Sequence, residues 1–245
     1  VYYNDGQELL GSFFDKKHRR YVKFQDIPPY IIDAIVASED QRFFDHIGID
    51  VVGIFRAVIS NLIAGKYVQG GSTLSQQTAK NVFGREGRDL SAKLKELVQT
   101  LRLEHFFSKE DILEFYLNQF YVVGTGRGVG IAAHYFFSKK VHELSLAEAA
   151  FIVGSVKGPF NYDPFVQNSD KALKKVLQKG VNRVAYVLGR MKEIGYISLD
   201  EHKQALQQKL NFKEGKFRAG VQTALKQVEK QLNQPFFQDL FKKHG

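Results

Sequence analysis

The chain has 245 residues, 44% of them hydrophobic, enough to bury the core of one large domain or of a domain with a lobe. Its 35 Lys and Arg against 26 Asp and Glu leave a net charge of +9 and favour an anionic partner: lipid headgroups, a diphosphate or nucleic acid. The basic residues are scattered without a nucleic-acid-binding motif, no stretch approaches the ~20 apolar residues that span a bilayer, and the absence of cysteine fits an extracytoplasmic protein as well as one that avoids labile residues.

Pro28 and Pro29 after Asp26 mark a helix start, because proline tolerates the first turn, where its missing N–H would lack a partner. The spacing predicts a helix over 30–45 that stops near Gly48, with Ile31, Ile32, Ile35, Val36 and Phe43 on one stripe and Glu39 continuing it. A carboxylate aimed at apolar surroundings is a candidate general base, and the competing reading is an ordinary ion pair with Arg42. His46 reads as structural rather than as a proton carrier.

Residues 51–66 are amphipathic and strongly apolar. They predict a small lobe that dips into a membrane interface, with Arg56 and Lys66 reaching for headgroups, against the alternative of a plain core helix. In 70–81, two glycines permit close backbone approach, and Ser72, Thr73, Gln76, Gln77, Lys80 and Asn81 offer hydroxyls, amides and an ammonium with no acid among them. That set suits a sugar or a phosphate, although Thr73 with Gln76 also reads as a capping box opening a helix.

A helix over 90–106 follows, with Leu90, Leu94, Leu97 and Leu101 as its expected buried stripe and Lys93 and Glu96 on an adjoining face. That pair is either a solvent-exposed ion pair or a carboxylate with a cation, suited to a reaction in which a diphosphate departs. Arg88, just before it, is a guanidinium of the kind that binds phosphate oxygens bidentately. Ser108 with Asp111 and Ser145 with Glu148 form further capping boxes. The glycines of 124–130 are not framed as a βαβ unit, so a tight loop packing a helix against a cleft is preferred to a dinucleotide loop. Five Phe-Phe pairs, at 13–14, 43–44, 106–107, 136–137 and 236–237, read as core packing, and 217–232 reads as a charged amphipathic helix.

Glu39-Asp40-Gln41-Arg42-Phe43-Phe44-Asp45-His46-Ile47-Gly48 matches E-D-x-x-F-x-x-H-x-G at every fixed position, and 70–81 matches G-G-S-T-x-S-Q-Q-x-x-K-N. With Lys93 and Glu96 they resemble the first three motifs of the peptidoglycan glycosyltransferases found in class A penicillin-binding proteins and in monofunctional cell-wall transglycosylases. Residues 112–118 and 124–136 resemble the fourth and fifth, and the resemblance covers about 25–205. One position departs: Ala92 stands where the third motif usually carries arginine.

The resemblance implies a mainly helical, lysozyme-like domain with a small membrane-proximal lobe over about 49–70. It divides the chain into an N-terminal segment 1–24 after a transmembrane anchor, a glycosyltransferase domain over 25–210, and a C-terminal extension or connector over 211–245. The implied reaction is polymerisation of lipid II into β-1,4-linked glycan, inverting at C1 with release of the lipid diphosphate. Glu39 and Glu96 are the implied catalytic carboxylates, and Asp40, Ser72, Gln77, Lys80, Arg88 and Lys93 the implied substrate-binding residues. Implied partners are lipid II, the growing lipid-linked glycan chain, the membrane surface at the extracytoplasmic face of a bacterial cell and a fused transpeptidase domain, with no nucleic acid. No metal site is assigned, although a divalent cation such as magnesium or manganese is compatible with the diphosphate. The chain lacks an acyl-serine S-x-x-K site with its partner motifs, so no penicillin-binding activity is expected of it. The rival readings are a lysozyme-like glycan-cleaving enzyme, or lytic transglycosylase, which needs no cation cluster for a diphosphate, and a noncatalytic membrane-bound scaffold.

Overall fold

The structure, a computed structural model, describes residues 18–65, 70–84, 87, 89–123 and 126–215. Arg88, Lys66, the 217–232 helix and the Phe pairs at 13–14 and 236–237 lie outside the described residues. The described elements run in the order β1 (His18–Arg19), α1 (Pro29–Glu39), α2 (Val51–Ala64), α3 (Leu74–Phe83), α4 (Leu90–Phe106), α5 (Lys109–Gln119), β2 (Tyr121–Val123), β3 (Gly126–Arg127), α6 (Val129–Phe137), α7 (Leu146–Ser155), α8 (Asp170–Ile194) and α9 (Leu199–Gln207). The fold is mainly helical, as expected from the sequence. Its one small sheet among the described residues has the order β1-β3-β2, with β1 parallel and β2 antiparallel to β3.

α7 is the centre of the core: every residue from Ala147 to Ser155 is buried. It packs on α1 and α8, which also pack on each other, while α3 rests on α4 and α5. The core joins Ile31 and Ile35 of α1 to Leu113 and Leu117 of α5, Phe136 of α6, Phe151 of α7 and Val187, Leu188 and Met191 of α8. The segment beyond α9 returns to this core. Phe212 stacks on Phe137 and meets Phe151 edge-on, at centroid distances of 5.4 and 4.9 Å, and the Lys213 N–H donates to Phe136 O at 2.9 Å.

Helix starts follow local chemistry. Thr73 with Gln76, Ser108 with Asp111 and Ser145 with Glu148 all form the expected capping boxes, and Ser198 with Glu201 forms another. The glycine loop packs a helix as expected, because a Cβ on Gly128, at φ 86°, would lie 2.8 Å from the Asn118 backbone, and one on Gly130 would lie 2.3 Å from Arg20 O.

Four expectations are corrected. α1 ends at Glu39 rather than running to Asp45, because Asp40 turns to φ −158° and spends its carboxylate on the Leu74 N–H, 34 residues on, and on His46. Phe43 is therefore off the helix, although fully buried.

The α4 face is also reversed. Leu90, Leu94 and Leu101 are 76, 56 and 40% exposed, while Ala92, Glu96, Thr100 and Leu103 are buried. The polar members of that inner face are satisfied on their own helix: the Thr100 hydroxyl donates to Glu96 O at 2.8 Å, and Glu96 pairs with Lys93.

Arg42 does not pair with Glu39; it lies 3.9 Å from Asp45 and 3.8 Å from Asp50. Arg56 is exposed on α2, where it donates to Gln41 at 2.9 Å and lines a cavity beside Glu39. Phe106 and Phe107 are exposed, so that pair is not core packing.

Candidate active site

The last turn of α1 carries Glu39 into the interior, where its side chain is 1% exposed. Isolated there, the charge would be expensive, and the chain supplies partners from three directions. Lys157, in the turn after α7, lies 2.8 Å from Oε2. Gln77 of α3 donates its Nε2 to the same oxygen at 3.3 Å. Arg183 of α8 stands 3.9 Å from Oε1, which is buried and accepts no hydrogen bond among the described residues. One carboxylate oxygen is thus held by two donors while the other has an open lone pair, a suitable arrangement for taking up a proton.

Glu39 borders a cavity of about 330 Å³ whose walls include Arg56, Lys157, Arg183, Tyr186 and Arg190. Gln41, Arg56, Tyr186 and Arg190 are shared with an adjoining open recess of about 610 Å³. Arg183 lies over the Tyr186 ring, 4.5 Å from its centroid, so the guanidinium is oriented by the aromatic face. Four cations around one carboxylate make a site for an anion that brings its own hydroxyl to Glu39.

The loop after Glu39 is fixed by a buried network. The Gly48 N–H donates to His46 Nδ1 at 3.0 Å, so Nε2 carries the hydrogen and gives it to Asp40, 3.0 Å away. The Asp40 carboxylate also accepts from the Leu74 N–H at 2.9 Å, and the Thr73 hydroxyl donates to Gly48 O at 2.7 Å. Lys109 adds a tie from α5, reaching His46 O at 2.6 Å and Glu104 at 2.8 Å while covering the Phe43 ring. Through these contacts the first two sequence motifs become one rigid unit, with His46 in the structural role expected of it.

The residues singled out from sequence are not all brought together. Asp40 is engaged in that network, and both ends of the Gln77 amide are engaged by protein, since its Oε1 accepts from the Tyr116 hydroxyl at 3.3 Å. Ser72 is exposed on a narrow recess that Glu39, Asp40 and Arg56 also line. Lys80 is exposed on α3, and the Lys93 side chain is partly exposed beside Glu96. Glu96 is buried and faces a different cavity, of about 420 Å³, bounded by Phe83, Ser91, Ala92, Lys95 and Gln99. The Ala92 methyl leaves open the space into which a longer side chain would extend.

Lys157 and Arg183 received no role from sequence, although both sit in segments that carry the resemblance. The signal that finds them is spatial: only the packing of α7 and α8 against α1 brings them to Glu39. Burial and the Glu39 charge push the Tyr116 phenol well above its ordinary value, so it stays a hydrogen-bond donor. Among the described residues no cluster of three or more His, Asp or Glu could hold a metal ion. The described residues do not form a dedicated metal cage.

A family model described as transglycosylase matches residues 6–192. The chain is similar to penicillin-binding protein 1A of Aquifex aeolicus (strain VF5), 42% identical over 211 residues, which are 86% of this chain and 28% of the relative. It is 36% identical over all 245 residues to penicillin-binding protein 1A of Neisseria flavescens, covering 29% of that protein. Against penicillin-binding protein 1A of Escherichia coli (strain K12) it is 38% identical over 211 residues, 86% of this chain and 24% of the relative. The chain therefore spans about a quarter of the length of these relatives. Among solved structures, penicillin-binding protein 1A from Haemophilus influenzae superposes with a TM-score of 0.50 at 23% identity, over 91% of this chain and 22% of that one. That likeness bears on the fold alone, and it agrees with the lysozyme-like helical domain expected from sequence.

Proposed function

The chain belongs to the transglycosylase family, and from that premise and the cavity at Glu39 we propose that it is a peptidoglycan glycosyltransferase that polymerises lipid II at the extracytoplasmic face of a bacterial membrane. The observation that carries the reading is the buried Glu39 carboxylate, with Oε2 held by Lys157 and Gln77 and Oε1 open, inside a cavity walled by arginines.

In this reaction Oε1 takes the proton from the 4-hydroxyl of the acceptor sugar. The hydroxyl oxygen bonds to C1 of the growing chain's terminal sugar as the C1–O bond to the lipid diphosphate breaks. The electron pair leaves with the diphosphate, C1 inverts and a β-1,4 link results. Arg56, Arg183 and Arg190 hold the anionic substrate near Glu39 by charge. Lys80, Arg88 and Lys93 serve the departing diphosphate, where negative charge develops in the transition state. Glu96 acts through Lys93, whose ammonium it holds. A glycan-cleaving enzyme has no use for that many cations, and no observation favours it.

Polymerisation of radiolabelled lipid II, followed by gel for wild type and Glu39→Gln, tests the proposal. Wild type is expected to make long strands, and Glu39→Gln to lose about 10²–10⁴-fold in turnover with its helical content intact. Wild-type rates from Glu39→Gln would remove the base. Shortening of added peptidoglycan with no polymer from wild type would replace the reading by cleavage.

The membrane enters through α2. No described helix is long and apolar enough to cross a bilayer, yet α2 buries only Gly53 and Ala57 and exposes Phe55, Val58, Ile59, Leu62 and Ile63. This face lies in the headgroup region of the bilayer in our reading. Phe55→Asp with Ile59→Asp is expected to weaken liposome binding without changing the circular dichroism; unaltered binding would refute it.

A further inference from the structure

Tyr116 is 1% exposed on α5, flanked in sequence by the buried Ile112, Leu113 and Leu117. A phenylalanine would fill the same space, and a buried hydroxyl is costly unless it is bonded. Among the described residues its partner is Gln77 Oε1, at 3.3 Å, and the other end of that amide donates to Glu39 Oε2. An amide oxygen only accepts and its nitrogen only donates. Turned over, the Gln77 side chain would set an oxygen against the Glu39 carboxylate and leave the phenol hydrogen without an acceptor. The two contacts therefore select one orientation of one side chain, the one that presents a donor rather than an acceptor to Glu39 Oε2.

We propose that Tyr116 is a positioning residue for the transferase reaction: through Gln77 it fixes Oε2 of Glu39, so that Oε1 is the oxygen presented to the acceptor hydroxyl. The inference rests on the function proposed above and deepens it. Lys157 cannot supply this selection alone, because its side chain is 58% exposed on a long flexible stem, whereas Gln77 and Tyr116 reach Glu39 from two helices packed on each other. It also assigns Gln77, read from sequence as binding substrate, to orienting the base instead.

The test uses Tyr116→Phe, Gln77→Met and the double variant of the full chain. Without substrate, the side-chain NH2 signal of Gln77 in a nitrogen-15 spectrum, assigned by its loss in Gln77→Met, reports the orientation. It is expected to move in Tyr116→Phe, as it does when Glu39→Gln removes the carboxylate, and an unmoved signal overturns the relay. With lipid II, Tyr116→Phe is expected to lower kcat about tenfold while KM stays within about twofold. The double variant is expected to be no slower than Gln77→Met, since both changes break one path. Losses that multiply, or a loss confined to KM, would overturn the proposal. If wild type forms no polymer, the transferase reading falls while the substrate-free spectrum still decides whether Tyr116 orients Gln77.

Discussion

Asp40 offers the sharpest test of how the site is held. Its buried carboxylate serves two donors, the Leu74 N–H at 2.9 Å and His46 Nε2 at 3.0 Å. Asp40→Ala removes the acceptor of both and leaves two buried donors without partners. At about 1.5 kcal/mol for each orphaned group the loss is about 3 kcal/mol, which in a domain of this size lowers Tm by roughly 6–12 °C. Asp40→Asn keeps one carbonyl for Leu74 but turns its NH2 toward His46, so about half that loss is expected. Turnover is expected to fall as well, because Leu74 is the first residue of the helix that carries Gln77 to Glu39. Calorimetry on the three proteins measures the stability and the lipid II assay the turnover. A Tm for Asp40→Ala within about 2 °C of wild type would show that the loop is held by something other than this carboxylate.

The reversed face of α4 predicts that Leu103→Ala costs about 2–5 kcal/mol while Leu94→Ala stays within about 0.5 kcal/mol; equal losses in urea unfolding would restore the leucine stripe to the interior. Burial raises the Asp33 carboxyl above its ordinary 3.8. A raised acid binds its proton more tightly when folded, so its stabilising contribution is present below about pH 4 and is lost as pH rises through the folded value. Asp33→Asn is therefore expected to raise Tm at about pH 7 and to change it little at about pH 3, and an equal gain at both would contradict the assignment.

What could be read from sequence divides by range. The helix starts at Thr73, Ser108 and Ser145 were legible because a capping box closes within four residues. Glu39 was legible as an inward carboxylate because Ile31 and Ile35 establish the stripe on the same helix. The end of α1 was not, because the groups that capture Asp40 belong to His46 and to the start of α3, and no local signal announces them. Leucine periodicity misled on α4, where the chain buries Glu96 and Thr100 instead and satisfies them within the helix. Lys157 and Arg183 were invisible as partners of Glu39 because only the packing of α7 and α8 against α1 brings them there.

α2 has only a glycine and an alanine buried, while α7 is buried along nearly its whole length. Local opening costs little where few apolar contacts are lost, so the amide hydrogens of α2 are expected to exchange with solvent faster than those of α7. The chain thus joins a buried body, built on α1, α7 and α8, to a helix that turns most of its apolar side chains outward. Arg56 belongs to that helix and to the wall of the Glu39 cavity, so the cavity is complete only while α2 is in place.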